Sequence, residues 1–121
     1  MPKLGRRLLI TAVVAVAAAL AVAGVVSAKS TANISASKTK LAFNKKTIRA
    51  KKGTLTIVMA NPSSFPHAVA VKGHGLNKKG KTVNKGGSSR VTVKLKKGTY
   101  TFYCPVDGHE AGGMKGKVVV S

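Results

Sequence analysis

Near one end of this 121-residue chain, Cys104, His109 and Met114 follow one another at a Cys-x4-His-x4-Met spacing. They lie within Tyr103-Cys104-Pro105-Val106-Asp107-Gly108-His109-Glu110-Ala111-Gly112-Gly113-Met114. Cys104 is the chain's one cysteine, and this segment takes one of its three histidines and one of its three methionines. Two imidazoles and a thiolate in a trigonal plane, with a weak axial thioether, make a copper site suited to one-electron chemistry. The segment supplies three of those four donors, so a second histidine must come from elsewhere. His67 and His74 are the candidates. His67 begins a strand-like run directly after Phe65-Pro66, whereas His74 sits between Gly73 and Gly75 in a basic loop and reads as solvated. Position favours His67.

Each donor also has a plainer reading. A lone cysteine on the inner face of a strand is ordinarily a small hydrophobe. A loop histidine is ordinarily solvated, and a methionine before a final strand ordinarily packs a core. Their joint spacing is what favours ligation. A thiolate at the inner end of a strand would be desolvated and needs a cation to compensate it. With one cysteine, a binuclear copper centre of the oxidase kind is excluded. Closed structural zinc sites mostly use two or more cysteines, which makes zinc the weaker competitor.

Composition narrows the rest. The chain has 22 Lys+Arg against 2 Asp+Glu. The acids are Asp107 and Glu110, both inside the ligand loop. Two acids are too few for carboxylate catalysis, and four protein donors leave a metal no open position for substrate. No enzyme is expected. Copper-delivery sites rich in methionine or cysteine are a poor match, because Met1 is the initiator and Met59 reads as core. Metal buffering or delivery is thus the alternative to electron carriage.

The elements that must position these residues are short strands. Thr54–Ala60 puts Leu55, Ile57 and Met59 on one face, and Arg90–Leu95 alternates Val91, Val93 and Leu95 with Thr92 and Lys94. Thr99–Tyr103 leads into the cysteine with Tyr100, Phe102 and Cys104 sharing a face, and Lys117–Val120 is a last strand. His67–Lys72 is expected to resume the sheet after Asn61–Pro66, whose two prolines exclude a central strand. Leu41–Phe43 and Thr47–Ala50 are further strand candidates, and Lys81–Val83 a short one within the loop 73–87. Residues 29–39, polar and small, read as a linker running into the first strand. Lys-Lys-Gly recurs at 51–53, 78–80 and 96–98 as turn grammar without a fixed repeat. Seven to eight strands with no helical period after residue 28 predict an all-β sandwich.

Residues 1–28 have the form of a signal peptide. Lys3, Arg6 and Arg7 precede an apolar run from Leu8 to Val26, and Val26-Ser27-Ala28 offers small residues for cleavage. The length of the run keeps an uncleaved membrane anchor as the competing reading. Arg6-Arg7 is a weak sign of twin-arginine export. The expected organisation is therefore 1–28 as signal peptide or anchor and 29–121 as one copper-binding domain in the periplasm, cell envelope or extracellular space. Removing Lys3, Arg6 and Arg7 leaves 19 cationic side chains against the 2 acids, a net +17. Only Arg49 and Arg90 are arginines there, the chain has no tryptophan, and basic and aromatic residues do not interleave, so nucleic acid is not an expected partner. An acidic redox partner, an anionic envelope surface, or no specific partner would each suit the charge.

The stretch Asn61–His67 with Phe65-Pro66-His67, then Tyr103-Cys104-Pro105 through His109 and Met114-Lys115-Gly116, resembles the cupredoxins of the plastocyanin/azurin type. The resemblance spans roughly residues 31–121. It implies a Greek-key β-sandwich with one type 1 copper held by His67, Cys104, His109 and Met114. It also implies a monomeric carrier of single electrons between Cu(I) and Cu(II), with the exposed edge of His109 as the electron port. A small apolar docking patch of Pro66, Pro105, Val106, Ala111 and Gly112 is expected around that edge. The loop combines an azurin-like Cys-to-His spacing with a plastocyanin-like His-to-Met spacing. Ala68 stands where the family often has an asparagine that ties the two ligand segments together.

Overall fold

A computed structural model describes residues 28–121; the segment read as a signal peptide or anchor lies, apart from Ala28, outside the described residues. Eight strands form: β1 (Ala28–Ser35), β2 (Thr47–Ala50), β3 (Gly53–Ala60), β4 (Ala70–Gly73), β5 (Leu76–Lys79), β6 (Ser88–Leu95), β7 (Gly98–Tyr103) and β8 (Lys115–Val120). They make a three-stranded sheet in the order β1-β3-β6 and a five-stranded sheet in the order β2-β8-β7-β4-β5. Among the described residues there is no α-helix. This is the all-β sandwich that the alternation predicted.

Period-2 patterning decides which side chains enter the core. Leu55, Ile57 and Met59 of β3 and Val91, Val93 and Leu95 of β6 are buried from one sheet. Ile48, Val71, Tyr100, Phe102, Val118 and Val120 meet them from the other. Phe43 packs on Phe102 with ring centroids 5.4 Å apart, although it belongs to no strand.

Three local expectations change. Residues 28–35 are not a linker: they pair in parallel with all of β3, Ala28 opposite Gly53 and Ser35 opposite Ala60. Their backbone bonds do what their small side chains could not signal. Leu41–Phe43 forms no strand, and Phe43 makes only an isolated bridge with Ala36. The short strand in the 73–87 loop is β5 rather than Lys81–Val83; Val83 instead makes an isolated bridge with His67. Accordingly β4 begins at Ala70, three residues after His67.

Both ligand-bearing segments meet at one end of the sandwich. The chain enters the Cys104–Met114 loop from β7 and leaves it into β8, and these two neighbours pair antiparallel with Tyr103 opposite Lys115. β4, which follows His67, flanks β7 on its other side, with Ala70 opposite Tyr103. Adjacent strands therefore bring residues far apart in sequence to the same rim.

Candidate metal centre

The His67 segment is a set of nested turns. Asn61 is buried, and its Oδ1 accepts a hydrogen bond from Ser63 N at 2.9 Å. Ser63 Oγ accepts one from Phe65 N at 3.0 Å. These are the side-chain-to-backbone turns that Asn and Ser favour two residues ahead. The Asn61 amide also donates to Phe65 O at 2.8 Å and Val83 O at 2.9 Å. His67 then closes the segment through both its backbone groups: His67 N donates to Val83 O at 3.1 Å and Val83 N donates to His67 O at 2.8 Å. The imidazole is thereby presented from a fixed backbone.

The Cys104–Met114 loop is organised mostly by its own backbone. Cys104 N donates to Met114 O at 3.0 Å, and Met114 N donates to His109 O at 3.1 Å. His109 N donates to Val106 O, Gly112 N to Gly108 O and Gly113 N to Glu110 O, each at 3.0 Å. Gly108 takes φ 78°, a left-handed turn that lets the chain double back immediately before His109. Gly112 admits a neighbour: a Cβ there would lie 2.6 Å from Leu41 Cδ1. Leu41, outside both ligand segments, thus braces the loop.

The result is a cluster of three donors. His67, Cys104 and His109 turn one ligand atom each to a common point, all within 4.8 Å of one another. The Nδ1 atoms of His67 and His109 are 3.1 Å apart, and Cys104 Sγ lies 3.9 Å from the first and 3.5 Å from the second. A circle through three atoms at these separations has a radius of about 2 Å. A point in their plane is therefore near the ~2.0–2.3 Å at which imidazole nitrogen and thiolate sulfur bind an ion such as zinc. The donor set and its spacing fit a metal ion. Met114 is fully buried in the core cluster beside them, fixed by its two backbone bonds to His109 and Cys104.

The electrostatics agree. Burial, and then the proximity of His109, lowers the pKa of His67 below its ordinary 6.5. Both effects penalise the imidazolium and so favour the neutral ring, the form whose lone pair can bind a metal. Cys104 is buried and unpaired by any disulfide.

Of the two candidate histidines, the structure brings His67 into the cluster and leaves His74 out. His74 lies in the β4–β5 turn at φ 51°, its ring 4.7 Å from that of Tyr100. His109 is partly exposed and lines a surface depression with Thr39, Lys40, Leu41 and Phe65. Phe65, 60% exposed, is the exposed large hydrophobic residue of the described chain. Pro66, Pro105, Val106, Ala111 and Gly112 are the expected apolar surround of this ring, and the depression adds Phe65 and Leu41 to it. Phe65 precedes the predicted Pro66, but Leu41 arrives from a segment with no sequence link to the loop. The Asn61 hub was also missed; Asn61-Pro62-Ser63 is an Asx-turn signature that could have pointed to it.

A family model of copper binding proteins, the plastocyanin/azurin family, matches residues 30–121. No curated protein sequence matches the chain. Among solved structures, the chain is similar to auracyanin A, a "blue" copper protein from the green thermophilic photosynthetic bacterium Chloroflexus aurantiacus. The two are 27% identical over 78% of this chain and 100% of that one, with a TM-score of 0.68. Dithionite-reduced auracyanin from the photosynthetic bacterium Roseiflexus castenholzii is 25% identical, over 78% of this chain and 98% of that one, with a TM-score of 0.67. The blue copper oxidase of Nitrosomonas europaea shares the fold at 20% identity, and the match covers 78% of this chain and 39% of that one with a TM-score of 0.66.

Proposed function

Because this chain belongs to the plastocyanin/azurin family of copper-binding proteins, we propose that it holds one type 1 copper with His67, Cys104, His109 and Met114 and carries single electrons between partners. The observation that carries the reading is the convergence of two imidazole Nδ1 atoms and one thiol on a single buried point. When bound, copper supplies a couple between Cu(I) and Cu(II).

The chain's own residues support that use. His67 and Cys104 are buried and keep water from the donors. The turns around Asn61 hold His67 in place whether or not an ion is present, which limits rearrangement when charge changes. Protein donors account for the whole coordination set, so a substrate has no position to enter, and a carrier suits the site better than an enzyme. His109 is the donor whose ring also lines the surface, so a partner would approach at Phe65 and Leu41.

Exposed cations stand on both sheets: Lys29, Arg90 and Lys94 on one, Arg49, Lys79, Lys115 and Lys117 on the other. Such a distribution suits long-range attraction to an acidic redox partner or an anionic envelope better than one localised docking patch. Electron-transfer rates that stay constant as salt is raised would remove that part of the reading. The basic-then-apolar segment 1–28 supports export, and the mass of the protein isolated from its host would distinguish cleavage from anchoring.

The direct test is the visible absorption and EPR spectrum after addition of Cu(II), beside Cys104→Ala. An intense blue or green band with narrow copper hyperfine splitting, absent from the variant, is expected. A pale, ordinary Cu(II) spectrum, or preference for zinc, would sink the carrier reading and favour metal buffering.

A further inference from the structure

Lys72 is the one cation that engages the ligand loop among the described ion pairs. It stands on β4, opposite Thr101 of β7 and Asn77 of β5. Its Nζ lies 2.8 Å from Glu110 Oε1 and 2.6 Å from Oε2, so one ammonium meets both carboxylate oxygens. The same Nζ lies 4.4 Å from the ring centroid of Tyr103. Tyr103 in turn donates its hydroxyl proton to Asn77 Oδ1 on β5.

These contacts bracket the donor loop. Tyr103 precedes Cys104, and Glu110 follows His109. The backbone of Glu110 also accepts the Gly113 N–H bond that leads into Met114. Otherwise the loop's backbone bonds are made largely within itself. On the other side, β4 follows directly from the His67 segment. One side chain thus links the scaffold that positions His67 to the loop that positions His109, where the methyl group of Ala68 can form no hydrogen bond between them.

We propose that Lys72 and Glu110 are positioning residues: their ion pair clamps the outer half of the donor loop onto β4 and slows release of the bound ion. The proposal rests on the copper reading above. The pair is 39% and 31% exposed, so it is partly screened. Its effect is a few-fold, and it declines as salt is raised.

The experiment compares Lys72→Met, Glu110→Gln and the double variant with the wild-type chain. One measurement is the rate at which copper passes to a competing chelator. The other is amide hydrogen exchange of residues 108–112 in the metal-free chain. We expect copper loss about two- to fivefold faster in each single variant, the range open to a part-exposed pair. The double variant should be no faster than the faster single, because the pair acts as a unit. Exchange at 108–112 should quicken while global unfolding stays near wild type. The charge swap Lys72→Glu with Glu110→Lys should recover part of the slow release. Unchanged copper loss, additive single effects, or release that follows global unfolding would overturn the clamp. Should the wild-type chain form no blue copper site, the copper reading fails and metal-free exchange alone decides. Faster exchange at 108–112 in both single variants then keeps the clamp, and unchanged exchange overturns it.

Discussion

The two segments that meet at the donor cluster are built in opposite ways. Residues 61–67 bury polar side chains, Asn61 and Ser63, and use them to hold backbone groups of the segment and of Val83. Residues 104–114 expose Asp107, Gly108 and Ala111 through Gly113, and rely on short backbone turns. A buried, satisfied polar network is costly to disturb because each group left without a partner loses its hydration with no return. An exposed loop of turns tolerates substitution except where another segment presses on it. The cluster therefore has one donor fixed by the scaffold and two, Cys104 and His109, carried by a loop closed onto it, with Met114 buried at the loop's end. The fixed side can stand ready without a metal, and the loop side is where tuning and access reside.

Substitutions can break this contrast. The largest expected loss is from Asn61→Ala, which strips hydrogen bonds from Ser63 N, Phe65 O and Val83 O together. Denaturant unfolding should show about 2–4 kcal/mol of destabilisation, in metal-free protein as much as in copper-loaded protein. A loss confined to the loaded form would show that the His67 side is not preformed. Next is Gly112→Val, which sets a side chain against Leu41 Cδ1; that methyl is the end of a flexible side chain at an exposed loop, so the cost should be about 0.5–1 kcal/mol. Adding Leu41→Ala should return most of it; with no rescue, Leu41 would not be what braces the loop.

The smallest expected effect is a pH dependence that sharpens the contrast. Folding lowers the pKa of His67, so the unfolded chain takes up a proton more readily than the folded one. The neutral form's stability is complete above the unfolded value of about 6.5 and is lost as pH falls towards the lowered folded value. Between about pH 7.5 and 5.5 the metal-free chain should lose stability from this group. His67→Gln should flatten that part of the titration curve. An equal slope in the variant would place the pH sensitivity elsewhere.

Reading the sequence succeeded where information is local. Alternation over Leu55–Met59 and Val91–Leu95 marked β3 and β6, and the site's chemistry followed from Cys104, His109 and Met114 lying five residues apart in turn. It failed where the signal belongs to a pairing. β1 has only Ile34 as a large buried side chain, so its strand character comes from the backbone of β3. The choice between Leu76–Lys79 and Lys81–Val83 depended on which run lies opposite β4. Leu41 looked like part of a strand, and its place against Gly112 depends on the path of the chain between the sheets.

Donor types, their order, the sandwich class and the clustering of the acids in the loop were all legible along the chain, because residue identity and near-neighbour spacing are written there. Only folding put Phe65 and Leu41 at the depression beside His109 and Lys72 against Glu110; His67 was favoured over His74 by its position along the chain, and the fold brings it into the cluster. Lys72 meets Glu110 because β4 pairs beside β7, whereas Leu41 arrives on the path between the two sheets; backbone hydrogen bonds and packing over the whole core fix both, rather than the residues that finally touch.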